Sequence, residues 1–117
     1  MSPATADAAF AVLYTFEVHP GAEHQFIEAW SDLTHLIRRH RGGLGSRLHR
    51  DAQGRFRAYA EWPSRAVFEA DTPLPTEADE VIARMRATIA TRHDPIELEI
   101  ERDLLSSRGR PGIPTSE

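Results

Sequence analysis

The residues with the widest chemical range in this chain are six histidines, two tyrosines, two tryptophans and a basic complement of 14 that is entirely arginine. The histidines are His19, His24, His35, His40, His49 and His93. None begins a metal-binding pattern such as His-Glu-x-x-His, so no metal centre is expected. Cysteine is absent, which removes thiol nucleophiles, zinc-thiolate sites and disulfides. Spacing alone nominates no Ser-His-Asp constellation. His24 and His35 project from the polar side of a predicted helix. His40 sits toward its apolar side near the end, where it reads either as a pocket acid or base or as a C-terminal helix cap.

Gly42, Gly43 and Gly45 invite a phosphate-cradling reading, but Leu48 stands where a third glycine would be needed. They also precede a strand, not a helix, and the lysine of a P-loop is missing. Seven arginines between Arg38 and Arg57 resemble a nucleic-acid patch. They are spread over a helix end and both faces of a hairpin with no aromatic ladder, and the chain carries a net charge of -4. No nucleic-acid partner is expected. Arginine without lysine suits bidentate anion recognition, and also suits an Ala- and Arg-rich composition with no functional meaning.

These side chains must be positioned by the elements that alternating and helical periodicities define. Residues 8–18 alternate, with Phe10, Val12, Tyr14, Phe16 and Val18 on one face and Ala11, Leu13, Thr15 and Glu17 on the other, as in a central strand. After His-Pro-Gly, a helix is predicted over residues 22–40 with Phe26, Trp30, Leu33 and Ile37 as its apolar stripe, ended by Gly42 and Gly43. Two strands follow, 44–50 and 55–62, joined through Asp-Ala-Gln-Gly as a hairpin. Ser64 caps a short helix over 65–70, and Thr76 with Asp79 forms a capping box for a helix running to about Arg92. Residues 96–104 read as a strand with Ile96, Leu98 and Ile100 on one side and Glu97, Glu99 and Glu101 on the other. The organisation is a flexible N-terminus (1–7), one domain (8–104) and a disordered C-terminal tail (105–117).

This order is the α+β, ferredoxin-like split βαβ arrangement: a four-stranded antiparallel sheet with helices on one face. Placing the more apolar set of each strand toward the helices puts Phe56, Ala58, Ala60 and Trp62 there, with Leu44, Ser46 and Leu48 of the second strand and Ile96, Leu98 and Ile100 of the last. The open face then carries Arg47, His49, Arg57 and Tyr59, with Glu97, Glu99 and Glu101 on the last strand. Basic and acidic edges of two copies would meet, so a homodimer closed sheet to sheet is expected through these residues. On the helix side, Ala58 and Ala60 are small amid Tyr14, Phe16, Phe26, Trp30 and Trp62. That leaves room for a pocket with polar tips from Tyr14 and Trp62, unless Trp30 or Met85 fills the space.

An apolar fraction of 40% and a charged fraction of 27% describe a globular protein. No run is long and apolar enough to cross a membrane, and no secretory signal is visible, so a cytoplasmic location is expected.

The segments "PGAEHQFIEAW", "GGLGSRLHR" and "AYAEWPS", in this order and spacing, resemble the antibiotic biosynthesis monooxygenase (ABM) domain of the dimeric α/β-barrel superfamily. The resemblance runs from about residue 10 to 104. It implies a homodimer with one pocket per subunit between sheet and helices. It also implies oxygenation of a small phenolic, quinol or anthrone-like molecule by O2 with no cofactor, because an electron-rich anion can itself pass an electron to O2. Tyr14, Trp62 and His40 would be the catalytic contacts, and Phe16, Phe26, Trp30, Ala58, Ala60 and Phe68 the substrate-binding walls. A related branch degrades haem with an Asn on the first strand, a Trp ending the third and a His in the following helix. Trp62 matches, but Tyr14 stands near the Asn position and Thr72 near the His, so haem degradation fits less well. The alternative is a non-catalytic barrel that binds a small apolar ligand or serves as a stress-related accessory protein.

Overall fold

The alternation that begins at Phe10 is realised as β1 (Phe10–Val18), the strand around which the sheet is built. The computed structural model describes residues 9–105. Expectations for the N-terminal residues 1–7 and for the tail beyond residue 105 fall outside that range. After β1 come α1 (Glu23–Arg41), β2 (Gly45–Arg50), β3 (Phe56–Trp62), α2 (Arg65–Glu69), α3 (Glu77–Thr88), β4 (Ile89–Arg92) and β5 (Ile96–Glu99). The sheet is antiparallel with order β2-β3-β1-β4, and β5 also pairs with β1. This is the ferredoxin-like arrangement that the sequence predicts.

The β1–β3 register sets Phe10 opposite Trp62, Val12 opposite Ala60, Tyr14 opposite Ala58 and Phe16 opposite Phe56. Partners in a ladder point to the same side, so this whole set lies under the helices. Phe26 of α1 is fully buried between Phe16 and Phe56, with ring centroids 5.4 and 4.8 Å away. Burying one such ring contributes about 1.5–3 kcal/mol. Phe68 of α2 closes the other end against Phe10 and Trp62, at 5.4 and 5.3 Å. Leu36 of α1 packs on Ala78 and Val81 of α3.

Local signals decide where most elements stop. Gly42 takes the left-handed conformation (φ 79°) that ends α1. Ser64 caps α2 by accepting from the Val67 N–H at 3.2 Å. The Asp51 carboxylate shapes the hairpin by accepting from the N–H groups of Gln53 and Arg55 at 3.0 and 2.9 Å. It also accepts from the Arg55 and Arg57 guanidiniums at 2.9 and 3.0 Å. Thr76 departs from expectation: it is itself helical (φ -60°) and makes no side-chain cap.

The C-terminal edge differs from the sequence-based reading in two ways. First, α3 ends at Thr88 instead of Arg92, and Ile89–Arg92 pairs with the second half of β1. Thr88, Ile89 and Thr91 are β-branched and favour a strand once the β1 edge supplies partners. The Thr88 hydroxyl donates to the Met85 carbonyl at 2.6 Å and so occupies an acceptor of the last turn. His93, Asp94 and Pro95 then interrupt the edge, and β5 resumes beside the first half of β1 but ends at Glu99 instead of residue 104.

Second, the faces of β5 are inverted. Glu97 is opposite Val12 and Glu99 opposite Phe10, on the helix side, while Ile96 and Leu98 share the open face with Leu13 and Ala11. The apolar set was expected to face the helices, but α2 is only five residues long and brings Arg65, not an apolar stripe, to this edge. Arg65 donates to Glu97 at 2.7 Å and lies over the Phe10 ring, 4.5 Å from its centroid. Ile96 and Leu98 are 51% and 39% exposed on the other side. Glu101 lies beyond the strand. Arg47, His49, Arg57 and Tyr59 pair among themselves across β2 and β3 on the open face, as expected.

Candidate active site: a cavity between sheet and helices

Small side chains on β3 leave the sheet concave where helices α1 and α3 cross it. Ala58 faces Tyr14 and Ala60 faces Val12, so these two residues of β1 have only a methyl group opposite. The result is a cavity of about 400 Å³. Its floor is Tyr14, Phe16, Ala58, Ala60 and Trp62, with Ser46 of β2. Trp30, Leu33, Thr34, Ile37 and Arg38 of α1 wall one side. Ile82, Met85 and Arg86 of α3, with Ile89 and Arg92 of β4, wall the other. Trp30 and Met85 therefore border the space and do not fill it. Gly43 belongs to the rim, and a Cβ there would lie 3.6 Å from the Trp62 ring and 3.1 Å from Ile37.

Three polar groups reach this apolar space. Burial pushes the Tyr14 phenol above its ordinary value of 10.0; the charges of Arg92 and Arg41 oppose the rise and Glu97 adds to it. Tyr14 is thus a neutral O–H group at physiological pH. The Trp62 indole is 3% exposed, and its Nε1–H is buried with no hydrogen-bond partner among the described residues. The Ser46 hydroxyl is in the same condition. A buried donor without an acceptor costs about 1–3 kcal/mol, so either group would gain from an acceptor brought within reach. Arg41 lies behind Trp62, 5.7 Å from the ring centroid, and is held by Asp71 at 3.0 Å.

Of the residues nominated from sequence, Tyr14, Trp62, Phe16, Trp30, Ala58 and Ala60 come together around this cavity. The other three do not line it. His40 is exposed at the end of α1, because the apolar face of the helix turns through Ile37 and Arg38 instead. Phe26 is sealed in the core between two phenylalanines, and Phe68 spends its surface on Phe10 and Trp62. Sequence reasoning missed Ser46, Arg38, Arg86 and Arg92. The signal for two of them was helical periodicity: Trp30, Leu33, Thr34, Ile37 and Arg38 form one face, as do Ile82, Met85 and Arg86. Arg92 was hidden by its assignment to a helix; as a strand residue it stands opposite Phe16.

Among the described residues no group of three His, Cys, Asp or Glu side chains is placed to hold a metal ion. No helix there is long and apolar enough to cross a membrane.

Comparison with known proteins gives a consistent account of this architecture. Residues 9–76, more than half of the chain, match the family model described as antibiotic biosynthesis monooxygenase. No curated protein matches the sequence significantly. Among solved structures, SnoaB, a cofactor-independent oxygenase from Streptomyces nogalater, superposes with a TM-score of 0.67 at 18% identity, covering 85% of this chain and 99% of that one. A candidate antibiotic biosynthesis monooxygenase from Chloroflexus aurantiacus gives 0.67 at 17% identity, covering 82% and 96%. Rv0793 from Mycobacterium tuberculosis gives 0.64 at 15% identity, covering 84% and 100%. At these identities the structural likeness establishes the fold.

Proposed function

The chain belongs to the antibiotic biosynthesis monooxygenase family, and from that premise we propose that it oxidises a quinol- or anthrone-like aromatic with O2, without bound metal or flavin, in the cavity over Ala58 and Ala60. The observation that carries this reading is the cavity's makeup: aromatic and aliphatic walls with a neutral phenol and an unpartnered indole N–H. Such walls take a flat aromatic and exclude water. Tyr14 and Trp62 supply donors for an oxygen on which negative charge resides.

The chemistry balances with no external reductant. An anthrone-like substrate loses a proton from its ring CH2 to solvent to give the enolate, which passes one electron to O2. The carbon radical and superoxide combine into a peroxide anion, which takes a proton back from solvent, and the resulting hydroperoxide loses water to leave a carbonyl. A CH2 group and O2 thus become C=O and H2O. The protein favours the anion through its hydrogen bonds and holds it away from bulk water. The SnoaB likeness supports this at the level of the fold. Haem degradation is less favoured, because no histidine lines the cavity and Thr72 is exposed on the α2–α3 connector.

The protein works as a homodimer joined through the open sheet face, where Leu13, Ile96 and Leu98 form an apolar strip beside Tyr59 and Arg57. Light scattering should read twice the 13.1 kDa chain mass.

Oxygen uptake with a panel of hydroquinones and anthrones tests the activity. One O2 consumed per carbonyl formed is the expected result. Absence of turnover, with an aromatic ligand still raising the Tm, would establish the non-catalytic binding protein instead.

A further inference from the structure

Trp62 ends β3 and lines the cavity, and its indole also packs against two residues that do not line it. Phe68 of α2 meets the ring edge-on, with centroids 5.3 Å apart and planes at 67°. The Arg41 guanidinium lies over the ring, 5.7 Å from its centroid, within the range of a cation–π contact. Arg41 is the last residue of α1, which the left-handed turn at Gly42 stops there. One terminal nitrogen of its guanidinium donates to the Asp71 carboxylate at 3.0 Å and to the Phe68 carbonyl at 3.5 Å. The side chain is only 19% exposed, and its Nε–H is buried with no partner among the described residues.

As an ion pair alone, this arrangement is poorly compensated. Among the described residues Asp71 is the one non-glycine with positive φ, at 52°, a conformation in which Cβ crowds the following carbonyl. The Asp71 side chain is 85% exposed, and a pair that open to water adds little stability. Withdrawing a cation from water with one N–H unsatisfied adds a further cost. What the geometry does deliver is a guanidinium fixed on Trp62 and anchored to the connector between α2 and α3.

We propose that Arg41 is a positioning residue: pinned by Asp71 and the Phe68 carbonyl, it fixes the Trp62 indole as a rigid wall against which a flat aromatic ligand takes one orientation. The inference rests on the reading of this cavity as the substrate site. An indole turns about two side-chain torsions, and Ala60, on the same face of β3, is too small to restrain it from the cavity side. The planar guanidinium matches the flat ring and covers it from outside the cavity. A rigid wall presents the same ring carbon for reaction in every binding event, whereas a mobile one admits the ligand in several poses.

The probe is 2-(hydroxymethyl)anthraquinone, neutral, flat and achiral, which shows circular dichroism in its own bands only when the protein holds it in a preferred orientation. Quenching of Trp30 and Trp62, which both line the cavity, gives its affinity. Asp71→Asn removes the charge and keeps a residue suited to positive φ, Arg41→Met keeps the stem without the cation, and Arg41→Lys keeps a cation. In D71N and R41M the induced signal should fall at least about twofold while the affinity changes less than about twofold, and R41K should retain the signal. In a Trp30→Phe background, the anisotropy decay of Trp62 should gain a nanosecond phase in D71N and R41M but not in R41K. An unchanged decay in D71N and R41M would overturn the proposal. A mobile Trp62 with an unchanged induced signal would overturn it too, because the ring would then not orient the ligand. Both of those outcomes leave the substrate site standing. Absence of quenching in the wild-type protein would overturn the cavity's role as a substrate site, and this inference with it.

Discussion

Tyr14 lies directly opposite Ala58 in the β1–β3 ladder, and the mismatch in size between the two side chains opens the cavity. Ala58 is 1% exposed and lines that space. Replacing Ala58 with leucine sends three more carbons into it. Overpacking a filled core costs about 1–3 kcal/mol, but here the cavity accepts the added volume. The Tm should change by less than about 5 °C while binding of an aromatic probe is lost. Retained affinity in this variant would place the ligand elsewhere.

Tyr14 should act as a hydrogen-bond donor. Burial raises its phenol above 10.0, so it is protonated throughout the neutral range. Its neutral form is favoured by folding, so its contribution to stability is full below pH 10 and declines as pH rises through the folded-state value. Tyr14→Phe should lower kcat about a hundredfold with little change in KM, as expected for a donor that acts chiefly in the transition state. A rate decline above pH 10 should be present in the wild-type enzyme and absent from the variant. An unchanged kcat in Tyr14→Phe would remove the phenol from the mechanism.

Phe26 belongs to the core and does not line the cavity. Truncation to alanine leaves a hole between Phe16 and Phe56 and should cost about 3–5 kcal/mol. For a domain of this size that lowers the Tm by roughly 12 °C or more. Thermal unfolding measures the loss. A small Tm change accompanied by a large loss of probe affinity would show instead that Phe26 is a substrate wall.

Asp51 should shape the acid limb of the stability curve. Partial removal from water raises its carboxyl, but hydrogen bonds from the Arg55 N–H, the Arg57 and Arg55 guanidiniums and the Gln53 N–H outweigh this and hold it down at about 2. A depressed folded-state value stabilises the native state above the unfolded value of 3.8 and loses that contribution as pH falls toward 2. Asp51→Asn should therefore lower the urea midpoint at pH 7 and flatten its dependence between pH 4 and pH 2. Parallel curves for the two proteins would show that the cluster is not coupled to folding.

The order of elements was legible in the sequence because period-2 and period-3.6 patterns are local. Phe10 to Phe16 alternate whatever surrounds them, and Phe26 to Ile37 mark one helical face. Gly42, Ser64 and the Asp51 hairpin were legible for the same reason, since each acts on backbone groups a few residues away. Tyr14, Trp62, Ala58 and Ala60 could be assigned to one wall because a single alternation per strand decides the face.

Only the tertiary structure decided what depends on partners distant in sequence. Ile89–Arg92 became a strand because β1 offered an open edge, which no local propensity records. The last strand turned Ile96 and Leu98 outward because the element above it delivered Arg65 to Glu97 instead of an apolar stripe. His40 lies off the cavity while Arg38, Arg86 and Arg92 line it, through the angle at which two helices and an edge strand converge. Periodicity assigns each side chain to a face of its own element; which faces meet around a common space is set by packing across the whole chain.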